Sequence, residues 1–169
     1  EQVKVLAKLA SQLQGEPREK ILQQGLAMIS AIKDIYSSNK IESLMELAEL
    51  LEKKKQKQVL GQALIEVQAN QNKYYRVVSL AMIAGLLEGK VQEQMLQEGL
   101  ALVPTLEDDQ WKANALVKLS PHLSGDLLKQ SLLVAQTIKF DLHKLEALTA
   151  LTKRLEGKLR EEVLQQVLR

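Results

Sequence analysis

His122 and His143 are the only imidazoles in a chain of 169 residues that holds no Cys. Imidazole is the side chain best suited to neutral-pH proton transfer and to metal binding, but it needs partners at the right spacing. These two lie 21 residues apart with no H-x-x-x-H pair, so surface or capping roles are expected and a metal centre is not. Glu107-Asp108-Asp109 gathers three carboxylates without the alternating spacing of a calcium loop. At a helix start such a run complements the macrodipole. No nucleophile elbow, phosphate-cradling glycine loop or dinucleotide fingerprint is spelled. The chain is expected to be no enzyme and to need no cofactor.

What does recur is charge. Lys40, Arg76, Lys112 and Lys144 follow one another at intervals of 36, 36 and 32 residues. One cation per period could track a phosphate backbone. The same position lies at the rim of a core-facing stripe, in a first helical turn where the dipole disfavours a cation. Pairing with a carboxylate is therefore the expected role, and Asp34, Asp108, Asp109 and Asp141 lie close in sequence. One residue earlier stand Tyr75, Trp111 and His143, with Tyr74 alongside. Aromatic residues so placed are expected to lock a joint between neighbouring helices; exposed, they would dominate an interface. The run Lys53-Lys54-Lys55-Gln56-Lys57 reads as a solvated positive turn.

These side chains need elements to position them, and composition points to helices. Apolar residues make up 46% of the chain and charged residues 26%, and only five residues are aromatic. Leu and Ala carry the apolar content, which is a helical vocabulary, and the runs of Val, Ile and Thr that strands favour are few. The length is that of one ordinary domain, long enough to bury a sizeable core. A net charge of +2 gives no strong field. The longest apolar stretch, around 77–87, is too short to span a bilayer, and no membrane association is expected. Absent Cys favours a reducing, cytoplasmic compartment. The chain starts at Glu1 without a signal peptide and reads as a piece of something longer.

Two segments, LEGKVQEQMLQEGL (87–100) and LEGKLREEVLQQVL (155–168), spell nearly the same sentence. They belong to a longer pattern. A first box opens at Leu6, Leu44, Leu80, Leu116 and Leu148, and a second at Leu22, Leu60, Leu96, Leu128 and Leu164. From first anchor to second the offsets are 16, 16, 16, 12 and 16; onward to the next first anchor they are 22, 20, 20 and 20. The period is 36, with two residues inserted near Ser37 and four deleted before Ser124. Apolar residues then fall at helical rather than alternating spacing, as at Leu80, Ile83, Ala84 and Leu87. Gly15, Gly89, Gly125 and Gly157 stand nine residues after a first anchor, with Lys53 as the exception. Glycine there suits a left-handed residue ending a helix. Pro17 suits a first helical position, and Asp108, Ser124 and Asp141 suit N-caps. Three residues after the second anchors come the small residues Gly25, Ala63, Gly99 and Ser131, which let neighbouring helices approach closely.

The pattern predicts ten helices, at 2–14, 17–35, 39–53, 56–70, 73–88, 91–105, 109–121, 125–139, 142–155 and 158–168. A two-helix hairpin cannot bury its own apolar stripe, so neighbours must stack. The expected fold is all-α: a right-handed α-solenoid of about five antiparallel two-helix repeats, at about 1–36, 37–72, 73–108, 109–140 and 141–169. Val163, Leu164, Val167 and Leu168 leave the final helix apolar. That suggests a truncated array, or one continued by another copy. The segment LVKLSPHLSGDLLKQSLLVAQTI (116–138) resembles the HEAT-like two-helix repeats that occur in tandem in large bacterial multidomain proteins. It differs from tetratricopeptide repeats in period and in lacking their aromatic and Gly-Tyr landmarks. The resemblance implies a partner-binding or sensing segment beside an NTPase or effector domain.

Helical wheels separate two outward faces. First helices present Lys4, Lys8, Glu42, Glu46, Glu49, Lys118, Glu146 and Lys153, a mixed, solvated surface. Second helices present Gln24, Gln62, Glu98, Gln130 and Gln166, then Ala27, Ile65, Ala101 and Leu133. Ala31, Ala69, Thr105 and Thr137 complete that face. It is mostly uncharged and inexpensive to desolvate, as a concave binding surface should be. Gln24, Gln62, Ile65, Glu98, Gln130, Leu133 and Gln166 are accordingly the expected contacts to a protein or peptide partner. Nucleic acid held by Lys40, Arg76, Lys112 and Lys144 is the alternative. Between Val77 and Leu87 only Ser79 is polar. Helix 73–88 is therefore either unusually buried or a self-association patch through Val78 and Met82.

Overall fold

The computed structural model describes the backbone of residues 2–32 and 38–167, and the side chains of 2–32 and 40–165. Asp34, Tyr36 and the insertion near Ser37 lie outside the described residues, as do the side chains of Gln166 and Val167 and all of Leu168. Ten α-helices and no strands occur among the described residues: α1 (Gln2–Ser11), α2 (Gly15–Ser30), α3 (Ser38–Ala48), α4 (Lys53–Ala69), α5 (Lys73–Ala84), α6 (Gly89–Leu102), α7 (Asp109–Leu119), α8 (Gly125–Gln136), α9 (Asp141–Thr152) and α10 (Gly157–Val167). The protein is all-α. No described helix is long and apolar enough to cross a membrane.

The chain divides into two compact units, Glu1–Gln71 and Asn72–Arg169. The division falls one residue from the sequence boundary at 72/73. In the first unit α1 packs on α2 and α3, while α3 packs on α2 and α4. In the second, α5 packs on α6 and α7, α7 on α9, α6 on α8, and α9 on α8 and α10. Within each unit, then, a first helix of the sequence pattern lies against its own second helix and against the next first helix.

The first helix of each pair is shorter than the periodicity predicts, for one repeated reason. Apolar spacing runs on to Leu13, Leu51, Leu87, Leu123 and Leu155, seven residues after each first anchor. Those leucines stand beyond the helix, in the connecting turn. Leu123 and Leu155 are buried there all the same. A turn can drop a side chain onto the stripe its helix has just completed, so hydrophobic period alone reads it as one more helical turn.

Gly15, Gly89, Gly125 and Gly157 all adopt left-handed φ, between 52° and 66°. They open the second helix rather than end the first, and three residues separate α1 from Gly15. At Lys53 the chain makes the turn without a left-handed residue, entering through Glu52 at φ −62° and ψ 148°. Elsewhere the preceding residue is fully extended, as Gln14 is at φ −133° and ψ 162°. The lone exception in sequence is therefore a different turn. α8 has 12 residues where α2 and α4 have 16 and 17. Because Gly125 keeps its place at the turn, the four-residue deletion falls inside the start of α8, after Gly125, and not before Ser124. Four residues are close to one helical turn of 3.6, so the buried face keeps its register.

Caps also sort themselves. Asp108 caps α7, accepting from the Trp111 amide at 3.0 Å, and Asn72 caps α5 through the Tyr75 amide at 3.2 Å. Ser124 occupies its cap position without a side-chain bond. Asp141 is not a cap: Phe140 is, and Asp141 is the first helical residue, where a carboxylate meets the positive end of the dipole. Pro17 lies in the third position of α2 rather than the first.

Gly25, Ala63, Gly99 and Ser131 are all buried. A Cβ on Gly25 would lie 2.8 Å from Leu47 Cδ1, and one on Gly99 would lie 3.2 Å from Leu119 Cδ2. Leu47 and Leu119 each stand three residues past a first anchor, so the same contact is made once in each unit. The small residue admits the leucine of the next first helix.

Candidate functional site

The second-helix surface is where the wheel placed it. Gln24, Ala27 and Ala31 are exposed, as are Gln62, Ile65 and Ala69, and Gln130, Leu133 and Thr137. Ile65 is 62% exposed and Leu133 65%, each five residues past a second anchor. A large aliphatic chain so exposed loses stabilisation by facing water and gains it when a partner covers it. The hydroxyls of Thr105 and Thr137 donate back to Leu102 and Val134 carbonyls of their own helices, at 2.8 and 2.7 Å. Their methyl groups, rather than their donors, are left to the surface.

Glu98 departs from its column. It is half-buried, and its Oε1 accepts from Arg76 at 3.0 Å. The two residue sets that the sequence separates, the binding column and the basic ladder, meet at this pair.

Every ladder cation lies beside a carboxylate. Lys40 Nζ is 2.9 Å from Glu66 Oε2, and the lysine side chain is 7% exposed. Lys112 Nζ is 2.9 Å from Asp109 Oδ1 and Lys144 Nζ is 3.7 Å from Asp141 Oδ1. The last two partners are sequence neighbours, as expected. Those of Lys40 and Arg76 come from the following second helix in each case, across the hairpin, and local sequence gives no sign of them.

Asp109 joins more than a lysine. Its Oδ2 accepts from the backbone amides of Lys139 and Phe140, at 2.8 and 3.0 Å, tying the start of α7 to the segment entering α9. The acidic run thus serves as cap and cross-brace, with no group of three metal-ligating residues among the described ones. The Lys112 hydrogen bond, and then those amides, hold the Asp109 carboxyl down at about 2, against an ordinary 3.8. The folded form binds this proton more weakly than the unfolded chain, so its contribution is fully present above pH of about 4 and is lost as pH falls through about 2. Asp109→Asn should melt at lower temperature than wild type at neutral pH, and the gap should close below pH of about 2. A gap unchanged across a pH series of melting curves would mean the brace is not ionic.

Of the aromatic column, Trp111 alone makes a ring contact with another helix among the described residues, and it stays 46% exposed. Tyr74 stacks on Trp111 with ring centroids 5.7 Å apart and planes at 22°, linking the starts of α5 and α7. Burial, and then the neighbouring Tyr75, raises the Tyr74 phenol above its ordinary range. His143 packs instead on Phe140, 5.0 Å away. His122 follows Pro121 in a short 3-10 turn, where Gly85 comes close enough that a Cβ there would lie 3.0 Å from its Cε1. Burial, and then the Arg154 guanidinium, lowers its pKa. The two imidazoles share no site.

In α5, Ser79 and Ala81 are buried beside the expected stripe, and Val78 and Met82 are half-buried.

Each unit also holds a groove that the sequence did not announce. One, of about 640 Å³, runs between Arg18, Glu19 and Gln23 of α2 and Glu49, Glu52 and Lys55 around the start of α4. Its counterpart, of about 570 Å³, runs between Gln92, Glu93 and Gln97 of α6 and His122, Asp126 and Gln130 around the start of α8. Both open at the hairpin turns, with Gly15 bordering the first and Gly89 and Gly125 the second; the first is also floored by Leu22, Leu26, Leu50 and Leu51, and the second is the more polar. The one available signal was those glycines, whose missing side chains leave the space. Of the expected contact residues, Gln130 lines the second groove.

Comparison with protein-family profiles, with curated proteins and with solved structures finds no match to the chain.

Proposed function

We propose that the chain is a right-handed α-solenoid of about five HEAT-like two-helix repeats that acts as a non-enzymatic scaffold, binding a protein or peptide along its second helices. The observation that carries this is the outward pair Ile65 and Leu133. Each is over three-fifths exposed, at the same step of the pattern and flanked by exposed Gln62 and Gln130. Glutamine can donate and accept without the desolvation cost of a charge, which suits a backbone-reading surface around an aliphatic anchor. Helix-on-helix stacking within each unit is the packing such an array requires.

The alternative, nucleic acid tracked by Lys40, Arg76, Lys112 and Lys144, must draw each cation away from a carboxylate within 4.0 Å. Opposed charge lowers the potential that a phosphate would feel, and this favours the protein-binding reading. The test is retention of partners by wild type and by a Gln62→Arg, Gln130→Arg, Leu133→Glu variant, with protein and nucleic acid both identified. A defined protein lost from the variant, and held by wild type in high salt, is the expected result. Nucleic acid retained equally by both and released by salt would replace this reading with the ladder.

A further inference from the structure

The faces of α1 and α9 differ from those of the other first helices, and the difference has a direction. In α1, which packs on α2 and the following α3, Val3 and Ala7 are buried while Val5 and Leu9 are 64% and 44% exposed. In α9, which packs on α8, α10 and the preceding α7, the opposite stripe is open. Ala147 and Leu151 are buried, but Leu145 is 39% exposed and Thr149 is exposed as well. Counted from the anchors, Val3 and Ala7 match Leu145 and Thr149, whereas Val5 and Leu9 match Ala147 and Leu151. The first stripe is thus the one a following first helix covers, and the second is the one a preceding first helix covers. Covered examples agree. Val77 and Ala81 of α5 are buried where α7 follows, and Ala115 and Leu119 of α7 are buried where α5 precedes. The open stripe of α9 and the open stripe of α1 are the two halves of a single joint.

Charge completes the match. Lys4 of α1, two residues before its anchor, reaches Glu42 and Glu46 of the following α3 at 3.7 and 3.6 Å. Glu146 holds the same position in α9 as Lys4 in α1, while Lys4 and Lys8 hold the positions of Glu42 and Glu46. An α9-to-α1 joint would therefore repeat the α1-to-α3 ion cluster with both signs reversed. Glu146 is half exposed, with its Oε2 3.9 Å from His143 Nδ1. Val78 and Met82, half-buried, have no such complement.

We propose that two copies of this chain associate head to tail, with the Leu145–Thr149 stripe of α9 in one copy seated on the Val5–Leu9 stripe of α1 in the other. Such a contact is heterologous: it joins two different surfaces, one from each copy, and leaves each copy's other stripe free. It is independent of the second-helix surface, so either reading can fail without the other.

Complementary knock-outs give the decisive test. Val5→Glu removes one half of the joint and Leu145→Glu the other; both sites are exposed, and far-ultraviolet circular dichroism checks that each variant is folded. In sedimentation velocity, wild type should gain mass with concentration, while each variant alone should stay at the 19.0 kDa of one chain. An equimolar mixture should form a two-chain species through the intact halves, at a concentration where neither variant associates alone. Glu146→Lys should weaken wild-type association at least tenfold, and Lys8→Glu in the other copy should restore it. Wild type that stays a monomer into the millimolar range would overturn the proposal. Association surviving in both single variants, or a mixture that gains nothing over its components, would overturn it in favour of a symmetric contact elsewhere.

Discussion

Leu47→Ala should lower the free energy of unfolding by about 3–4 kcal/mol, and Gly25→Ala by about 1–3 kcal/mol, yet the double variant should lose less than their sum. Leu47 is fully buried, so its truncation removes transferred methyl groups and leaves a cavity that the surrounding side chains fill only in part. Gly25→Ala acts oppositely, by placing a Cβ 2.8 Å from Leu47 Cδ1. Leu47 cannot yield without displacing other buried side chains, because interiors are close-packed. With both changes, the methyl of the new alanine enters space that the leucine vacated. The expected coupling is about 1 kcal/mol or more, read from denaturant unfolding of the four members of the cycle. Strict additivity would show that α2 and α3 do not meet at this point. The pair Gly99 and Leu119, with its 3.2 Å approach, should behave alike but more mildly.

Glu66→Ala should destabilise by about 3 kcal/mol, whereas Lys40→Met combined with Glu66→Leu should be close to neutral. The asymmetry arises because Lys40 is almost wholly enclosed and its Nζ has a carboxylate at 2.9 Å. Removing only the carboxylate leaves an ammonium that must stay buried without a partner or drag its stem into water. Replacing both ends exchanges an ion pair for apolar packing, which is often harmless. Thermal melts of the single and double variants distinguish the two cases. A Glu66→Ala protein as stable as wild type would mean that Lys40 reaches solvent. Of the four ladder cations this one should show the largest effect, since Lys144 faces an almost fully exposed Asp141. Exposed pairs contribute little after screening.

The ten helices, their order and the outward face carrying Gln62, Ile65, Gln130 and Leu133 were legible from residue types and spacing. Each depends on a period of 3.6 within a helix and 36 between anchors, and such periods are written in the chain itself. The left-handed glycines were legible for a similar reason, because φ near +60° excludes most other residues. Their place at the start of the second helix was not. Local conformation says that the chain turns at Gly89; where hydrogen bonding resumes depends on how α5 and α6 pack.

Tertiary structure decided the rest, and in each case the cause is a contact across helices. The carboxylates that hold Lys40 and Arg76 come from Glu66 and Glu98, 26 and 22 residues away, across a hairpin whose geometry no local pattern encodes. Asp109 could be read as acidic at a helix start, but its grip on the amides of Lys139 and Phe140 needed α7 and α9 side by side. The grooves beside Gly15 and Gly89 are spaces, and a sequence lists atoms rather than the gaps between them. By itself the sequence determined which side of every helix must leave water, since that follows from side-chain chemistry and helical pitch. Which neighbour covers that side, and where a stripe such as Val5–Leu9 or Leu145–Thr149 stays open, was decided only when the helices were packed, because burial belongs to pairs of surfaces.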